Sequence, residues 1–238
     1  ALSASRSGAP GYAPEDARDL YTVMQRTLAT LKDRYDLRIT TIDFMGVSLG
    51  ALEGAYLSVI EAEEAKVGIA KYLLVNPPID LAYAIKQLDQ WNALASNFGP
   101  AKSQELVSKA LAIVDSFSGE KQDDPKVFDR FVKKFTGFTK EELQFLVAQS
   151  LQSQLPELVY VTQAIHDQKV FSAPEDEMRK RLEEAKSFTL TDYNQKIGLP
   201  LWRGQANESQ ADLESFIERG SLTHILDRLR DNPKVYIM

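Results

Sequence analysis

The sequence contains no cysteine. That absence removes disulfides, thiol nucleophiles and thiolate-ligated metals from consideration. It says nothing about compartment, because cytosolic and exported chains alike can do without the residue. Histidine is almost as scarce, with two among 238 residues, so no polyhistidine metal site is expected. No apolar run approaches the ~20 residues that a membrane-spanning helix needs. Positive charge is in the minority, 28 Lys and Arg against 34 Asp and Glu, and no basic tract stands out. A net charge of −6 argues against nucleic acid as a partner. The opening Ala1-Leu-Ser-Ala-Ser-Arg-Ser-Gly8 lacks an initiator methionine and the charged-then-apolar form of a secretory leader. A processed or truncated start is the expectation. The length suits one large domain, or a core with an elaborated insertion.

What the chain does have is one stretch that organises the rest, from Ile39 to Ala51. A short apolar run ends in Gly46-Val47-Ser48-Leu49-Gly50, and a helical pattern starts at once in Ala51, Leu52, Ala55, Tyr56 and Val59. A serine on so sharp a strand-to-helix turn has a crowded backbone, and its neighbours must be small. Gly46 and Gly50 are expected to supply the room, having no Cβ. Such a turn lifts the Ser48 hydroxyl clear of the sheet and aims the first N–H groups of the helix at whatever it attacks. The plainer alternative is a serine that merely caps the helix.

With the strand before it and the helix after it, the segment from about Pro14 to Leu81 resembles the α/β-hydrolase superfamily, G-V-S-L-G-A standing as the nucleophile elbow. The last turn and strand near Met238 resemble it more faintly. The resemblance implies an α/β fold, a hydrolase-like parallel sheet with a large all-helical cap insertion. It implies Ser48 as nucleophile and the Leu49 N–H as an oxyanion donor. In that family the triad runs serine, then acid, then histidine. The acid is expected directly after the strand that ends at Met238 and the histidine later still, and neither position falls within these residues. Asp80, after the strand that follows the elbow helix, stands where some members place the acid. It is a reserve candidate, against the reading that it caps the helix beginning at Leu81. His224 precedes a strand and reads as a surface residue, and His166 lies deep in the helical middle. Asp43, in the organising strand, has no account.

In chain order, residues 1–10 are small and polar and read as loose. Pro14-Glu15-Asp16 opens a helix with acids at the positive end of its dipole. Ala17, Leu20, Tyr21, Met24, Leu28, Leu31 and Tyr35 form its apolar stripe. The elbow helix runs to about Ala65, and Glu61, Glu63 and Glu64 at its end read as a solvated face. Gly54 within it points to close backbone packing. Tyr72-Leu-Leu-Val-Asn-Pro-Pro-Ile-Asp80 is an apolar strand stopped by prolines, expected parallel and buried on both faces. Helical patterns then follow over 81–95, 102–117, 126–135, 140–154, 157–167 and 175–188. Asp124-Pro125, Thr139-x-x-Glu142, Ser172-x-x-Glu175 and Asn207 are the start signals. Ser221 begins a helix that Asp231-Asn-Pro233 stops, and Lys234 to Met238 is a last strand. The division is therefore hydrolase core 1–80, helical cap 81–218 and return to core 219–238.

The function implied is hydrolysis of an ester, thioester or amide, on a small acyl substrate, through Ser48 and an acyl-enzyme. No cofactor and no metal are called for. Two other readings stay open: a non-catalytic hydrolase-fold binding protein, and a helical interaction module with a chance Gly-x-Ser-x-Gly. In the hydrolase order the three strands are consecutive neighbours with the elbow strand at one edge. That edge is expected to be completed by further polypeptide or a second copy.

Overall fold

The computed structural model describes residues 10–117, 125–206 and 209–238. It holds a three-stranded sheet, β1 (Ile42–Val47), β2 (Ile69–Val75) and β3 (Val235–Ile237), in that spatial order and parallel throughout. Helices dominate the rest: α1 (Ala13–Tyr35), α2 (Leu49–Glu64), α3 (Leu81–Asn92), α4 (Ala95–Asp115), α5 (Pro125–Phe135), α6 (Lys140–Gln152) and α7 (Leu155–Ile165). They are followed by α8 (Met178–Ala185), α9 (Leu190–Tyr193), α10 (Leu199–Ala206), α11 (Leu213–Gly220) and α12 (Leu226–Arg230). A π-helical turn over Asn194–Gly198 joins α9 to α10, and a 3₁₀ turn over Leu222–Ile225 leads into α12.

One face of the sheet carries the main core. Ala13, Ala17 and Tyr21 of α1 and Ala51, Leu52 and Ala55 of α2 pack with Tyr72 and Leu74 of β2. The alanines let the two helices approach closely. Gly54 lets α2 lie close on the sheet: a Cβ there would stand 2.3 Å from the Phe44 ring of β1 and 2.8 Å from the Leu74 side chain of β2. The opposite face differs from expectation. Met45, Val47 and Tyr236 are exposed at 65, 57 and 52%. The strands are parallel, but among the described residues they are not buried on both faces. Asp43 lies on this open face, in register with Lys71 of β2.

Glu61 also departs from the solvated face expected of it. It is buried, and its carboxylate accepts the N–H groups of Val67 (3.1 Å), Gly68 (2.6 Å) and Ile69 (3.3 Å) as well as the Tyr21 hydroxyl. Burial opposes its ionisation, yet these four donors outweigh burial and hold the carboxyl below its usual range. It fastens the turn from α2 into β2 to α1. Glu63 and Glu64 behave as expected, pairing at the surface with Arg228 and with Arg18 and Lys66.

Among the start signals, Thr139 and Glu142 form the capping box of α6. Ser172 and Glu175 do not form one, because α8 begins only at Met178; the Ser172 N–H instead donates to Glu184 (2.7 Å). Asp212 caps α11, accepting from the Ser215 N–H at 2.8 Å. Residues 1–9, Asp124 and Asn207 lie outside the described residues. The run α9, π turn and α10 escaped the sequence reading. Tyr193, Ile197 and Leu201 there pack into one apolar cluster and Leu199 and Trp202 into another, so the apolar residues of the run do not keep to a single stripe.

Candidate active site

β1 delivers the chain to Ser48, and α2 starts at the next residue. Ser48 has φ +54° and ψ −121°, a combination that residues with a Cβ seldom adopt. Its own N–H donates to the Val75 carbonyl at 2.9 Å, which ties the crest of the turn to the end of β2. Its carbonyl accepts the N–H groups of Ala51 and Leu52 at 3.0 and 3.2 Å, and its side chain makes no capping bond. The plain helix-cap reading of Ser48 is therefore not what the structure contains. The N–H groups of Leu49 and Gly50, first in the helix, have no intrahelical acceptor and sit at the positive end of its dipole.

The two glycines of the turn play unequal parts. A Cβ on Gly46 would lie 2.2 Å from the Gly50 carbonyl oxygen, so this position must be glycine. A Cβ on Gly50 would meet nothing within 4 Å, which corrects the expectation that it too supplies room. It is Gly50's backbone, not its missing side chain, that fills the space over Gly46.

Ser48 and Leu49 line a cavity of about 420 Å³. Its walls come from α1, α3, α6, α7, α9 and α11, and they are largely aliphatic: Leu81, Ile85, Leu88, Leu155, Leu158 and Ile217 are among them. Residues from the 81–218 segment thus share a cavity with Ser48 and Leu49, both of which remain exposed. Two carboxyls, Asp16 and Glu53, face the same space, and no lysine, arginine or histidine does among the described residues. Burial pushes the Asp16 carboxyl up from 3.8 to about 7, against the lowering effect of the Gly11 N–H (2.6 Å), and Glu53, Asp19 and Glu15 push the same way. Burial raises Glu53 as well. The Tyr193 hydroxyl, also raised by burial, donates to the Pro10 carbonyl at 2.6 Å.

The other candidates lie elsewhere. Asp80 caps α3, its carboxylate accepting the Tyr83 N–H at 2.9 Å, and it does not line the cavity. His166 ends α7 and His224 is exposed on the 3₁₀ turn; neither lines the cavity. Among the described residues no group of three or more His, Asp or Glu is placed to hold a metal ion. No helix among them is long and apolar enough to cross a membrane.

Sequence reasoning missed Asp16 and Glu53. Glu53 could have been found, because it stands four residues after Leu49 and so shares its helix face. Asp16 carries no such signal; as an acid in a first helical turn it reads as a partner of the dipole.

Comparison of the chain with protein-family models, with curated proteins and with solved structures finds no match.

Proposed function

We propose that the chain is a serine hydrolase of the α/β-hydrolase type. It cleaves an ester, thioester or amide through nucleophilic Ser48 and an acyl-enzyme. The observation that carries this reading is the backbone of Ser48, held at φ +54° between a parallel strand and a helix over a glycine that admits no Cβ. Strain of that kind, on the order of 1–3 kcal/mol, persists where the surrounding structure enforces it, and it concentrates at active sites. The Leu49 N–H is the oxyanion donor, with the α2 dipole behind it. The aliphatic walls favour an acyl group with a hydrocarbon chain, at about 0.8 kcal/mol for each methylene buried. Asp80 is a structural cap in this scheme and not the acid of a triad.

A fluorophosphonate probe with mapping of the adduct tests the proposal. The expected result is one adduct, on Ser48, absent in Ser48→Ala. A folded chain that gives no adduct favours the second reading, a hydrolase-fold protein that binds an apolar ligand without cleaving it. One observation supports that alternative: no histidine lines the cavity among the described residues. The partners proposed are a small acyl substrate in the cavity and, at the open edge of β1, further polypeptide or a second copy.

A further inference from the structure

The cavity beside Ser48 lacks the imidazole that a serine nucleophile normally uses, yet it is not without a group able to take a proton. Asp16 lies in the first turn of α1 and lines the same space as Ser48. The buried alanines on either side of it, Ala13 and Ala17, bring that turn against the start of α2, where Ala51, Leu52 and Ala55 belong to the same core. Glu53 sits one helical turn after Leu49, on the face that lines the cavity, and its charge acts directly on Asp16. The Gly11 N–H donates to Oδ2 of Asp16 at 2.6 Å, and among the described residues no other donor reaches this carboxylate. Oδ1 is left for another proton.

Resting on the reading of Ser48 as nucleophile, we propose that Asp16 is the proton acceptor for the Ser48 hydroxyl, with Glu53 beside it to keep it basic. As Ser48 Oγ bonds to the substrate carbonyl carbon, its proton passes to Asp16 and the carbonyl π pair moves onto oxygen. When that oxyanion collapses, the bond to the leaving group breaks and Asp16 returns the proton to the departing atom. Water then attacks the acyl-enzyme, gives its proton to Asp16, and Ser48 recovers it as the acid leaves. No oxidant, reductant or metal enters the balance.

The carboxyl suits the task. A base works best when it titrates near the working pH, and burial together with Glu53, Asp19 and Glu15 brings Asp16 to about 7. An ordinary aspartate would be too weak a base. Of the groups that face Asp16, Glu53 belongs to α2, Glu15 and Asp19 to α1 and Tyr193 to α9. None of them is cationic.

The test is the rate of fluorophosphonate labelling at Ser48 between pH 5 and 9, in wild type, Asp16→Asn and Glu53→Gln. Asparagine keeps the acceptor for the Gly11 N–H, and circular dichroism checks that each variant is folded. Wild type is expected to label faster as pH rises, with a midpoint near 7. Asp16→Asn should label about 100-fold more slowly and lose that midpoint. Glu53→Gln removes a neighbouring negative charge, so its midpoint should move to lower pH, a change that a merely structural role would not produce. Labelling of Ser48 in Asp16→Asn within threefold of wild type, or with an unchanged midpoint, overturns the role of Asp16 and leaves Ser48 the nucleophile. Absence of any Ser48 adduct in folded wild type overturns both.

Discussion

Gly46 lies beneath the Gly50 carbonyl so closely that a Cβ on the former would be 2.2 Å from that oxygen. The backbone atoms facing it belong to the first turn of α2 and cannot swing aside. We therefore expect Gly46→Ala to cost about 3 kcal/mol, at the upper end of overpacking penalties, and to abolish labelling of Ser48. Gly50→Ala should be neutral or stabilising by up to about 1 kcal/mol, because alanine favours the helix and meets no neighbour. Urea midpoints of the two variants check this. Equal loss in both would show that the turn needs small residues for another reason.

Ser48 itself should separate stability from activity. Ser48→Ala removes a hydroxyl that caps nothing and leaves the positive φ in place, so its stability should stay within about 0.5 kcal/mol of wild type. Ser48→Gly relieves the backbone and should gain about 1 kcal/mol. Neither variant should hydrolyse an activated ester above the uncatalysed rate. Turnover by the alanine variant equal to that of wild type would remove Ser48 from the chemistry.

Glu61 carries the largest single polar contribution we expect in the core. Its carboxylate serves three backbone N–H groups and the Tyr21 hydroxyl, and that hydroxyl in turn accepts the Lys66 N–H at 2.9 Å. Glu61→Ala should cost about 3 kcal/mol at pH 7, since buried donors would be left without a partner. The folded carboxyl titrates below its ordinary 4.5, so its stabilisation is complete above that value and is lost as pH falls through the folded one. The stability gap between wild type and Glu61→Gln should accordingly narrow below about pH 4. A gap that does not change with pH would mean that the ionised form is not what holds the turn.

Asp16 has the opposite sign. Between 3.8 and about 7 the folded chain keeps a proton that the unfolded chain has released, so this group lowers stability as pH rises across that window. The full shift corresponds to roughly 4 kcal/mol. Water entering the cavity reduces the effect, and about 1–2 kcal/mol is the expectation. Asp16→Asn should thus be more stable than wild type at pH 8 and equal to it near pH 4. Thermal melts at the two pH values decide the matter whether or not the chain is an enzyme.

The strand-to-helix turn at Ser48 was legible because it is local. Gly46, Ser48 and the change from a two-residue to a 3.6-residue period sit within a dozen positions, and so do the caps at Thr139 and Asp80. The order of the three strands was an expectation drawn from the hydrolase resemblance, and the sheet has that order, parallel throughout. What stayed hidden depends on partners distant in sequence. Glu61 has the look of a surface acid until Tyr21, 40 residues earlier, and the Val67–Ile69 backbone close over it. Asp16 becomes a weak acid through burial in a cavity walled by elements as distant in sequence as α9 and α11, and through the charge of Glu53 from α2. Burial of this kind has no period and no spacing, so a linear reading passes over it.

The last expectation concerns the edge and outer face of the sheet. Among the described residues β1 is an edge strand, paired with β2 on one side alone. Its outer residues Met45 and Val47, with Tyr236 of β3, present apolar side chains to solvent on the face away from α1 and α2. A parallel sheet is normally covered on both faces, and a bare apolar edge offers unpaired N–H and C=O groups to any passing strand. Further polypeptide or a second copy would satisfy both needs, and for the isolated 238-residue chain only the copy is at hand. Sedimentation should therefore give a mass above the 26.7 kDa of one chain, rising with concentration. Hydrogen exchange should find the amides of β1 protected. Val47→Lys places a charge on that surface at a residue that does not line the cavity, and should shift the chain towards monomer without unfolding it. A cooperatively folding wild-type monomer whose β1 amides exchange freely would show that this edge is stable bare.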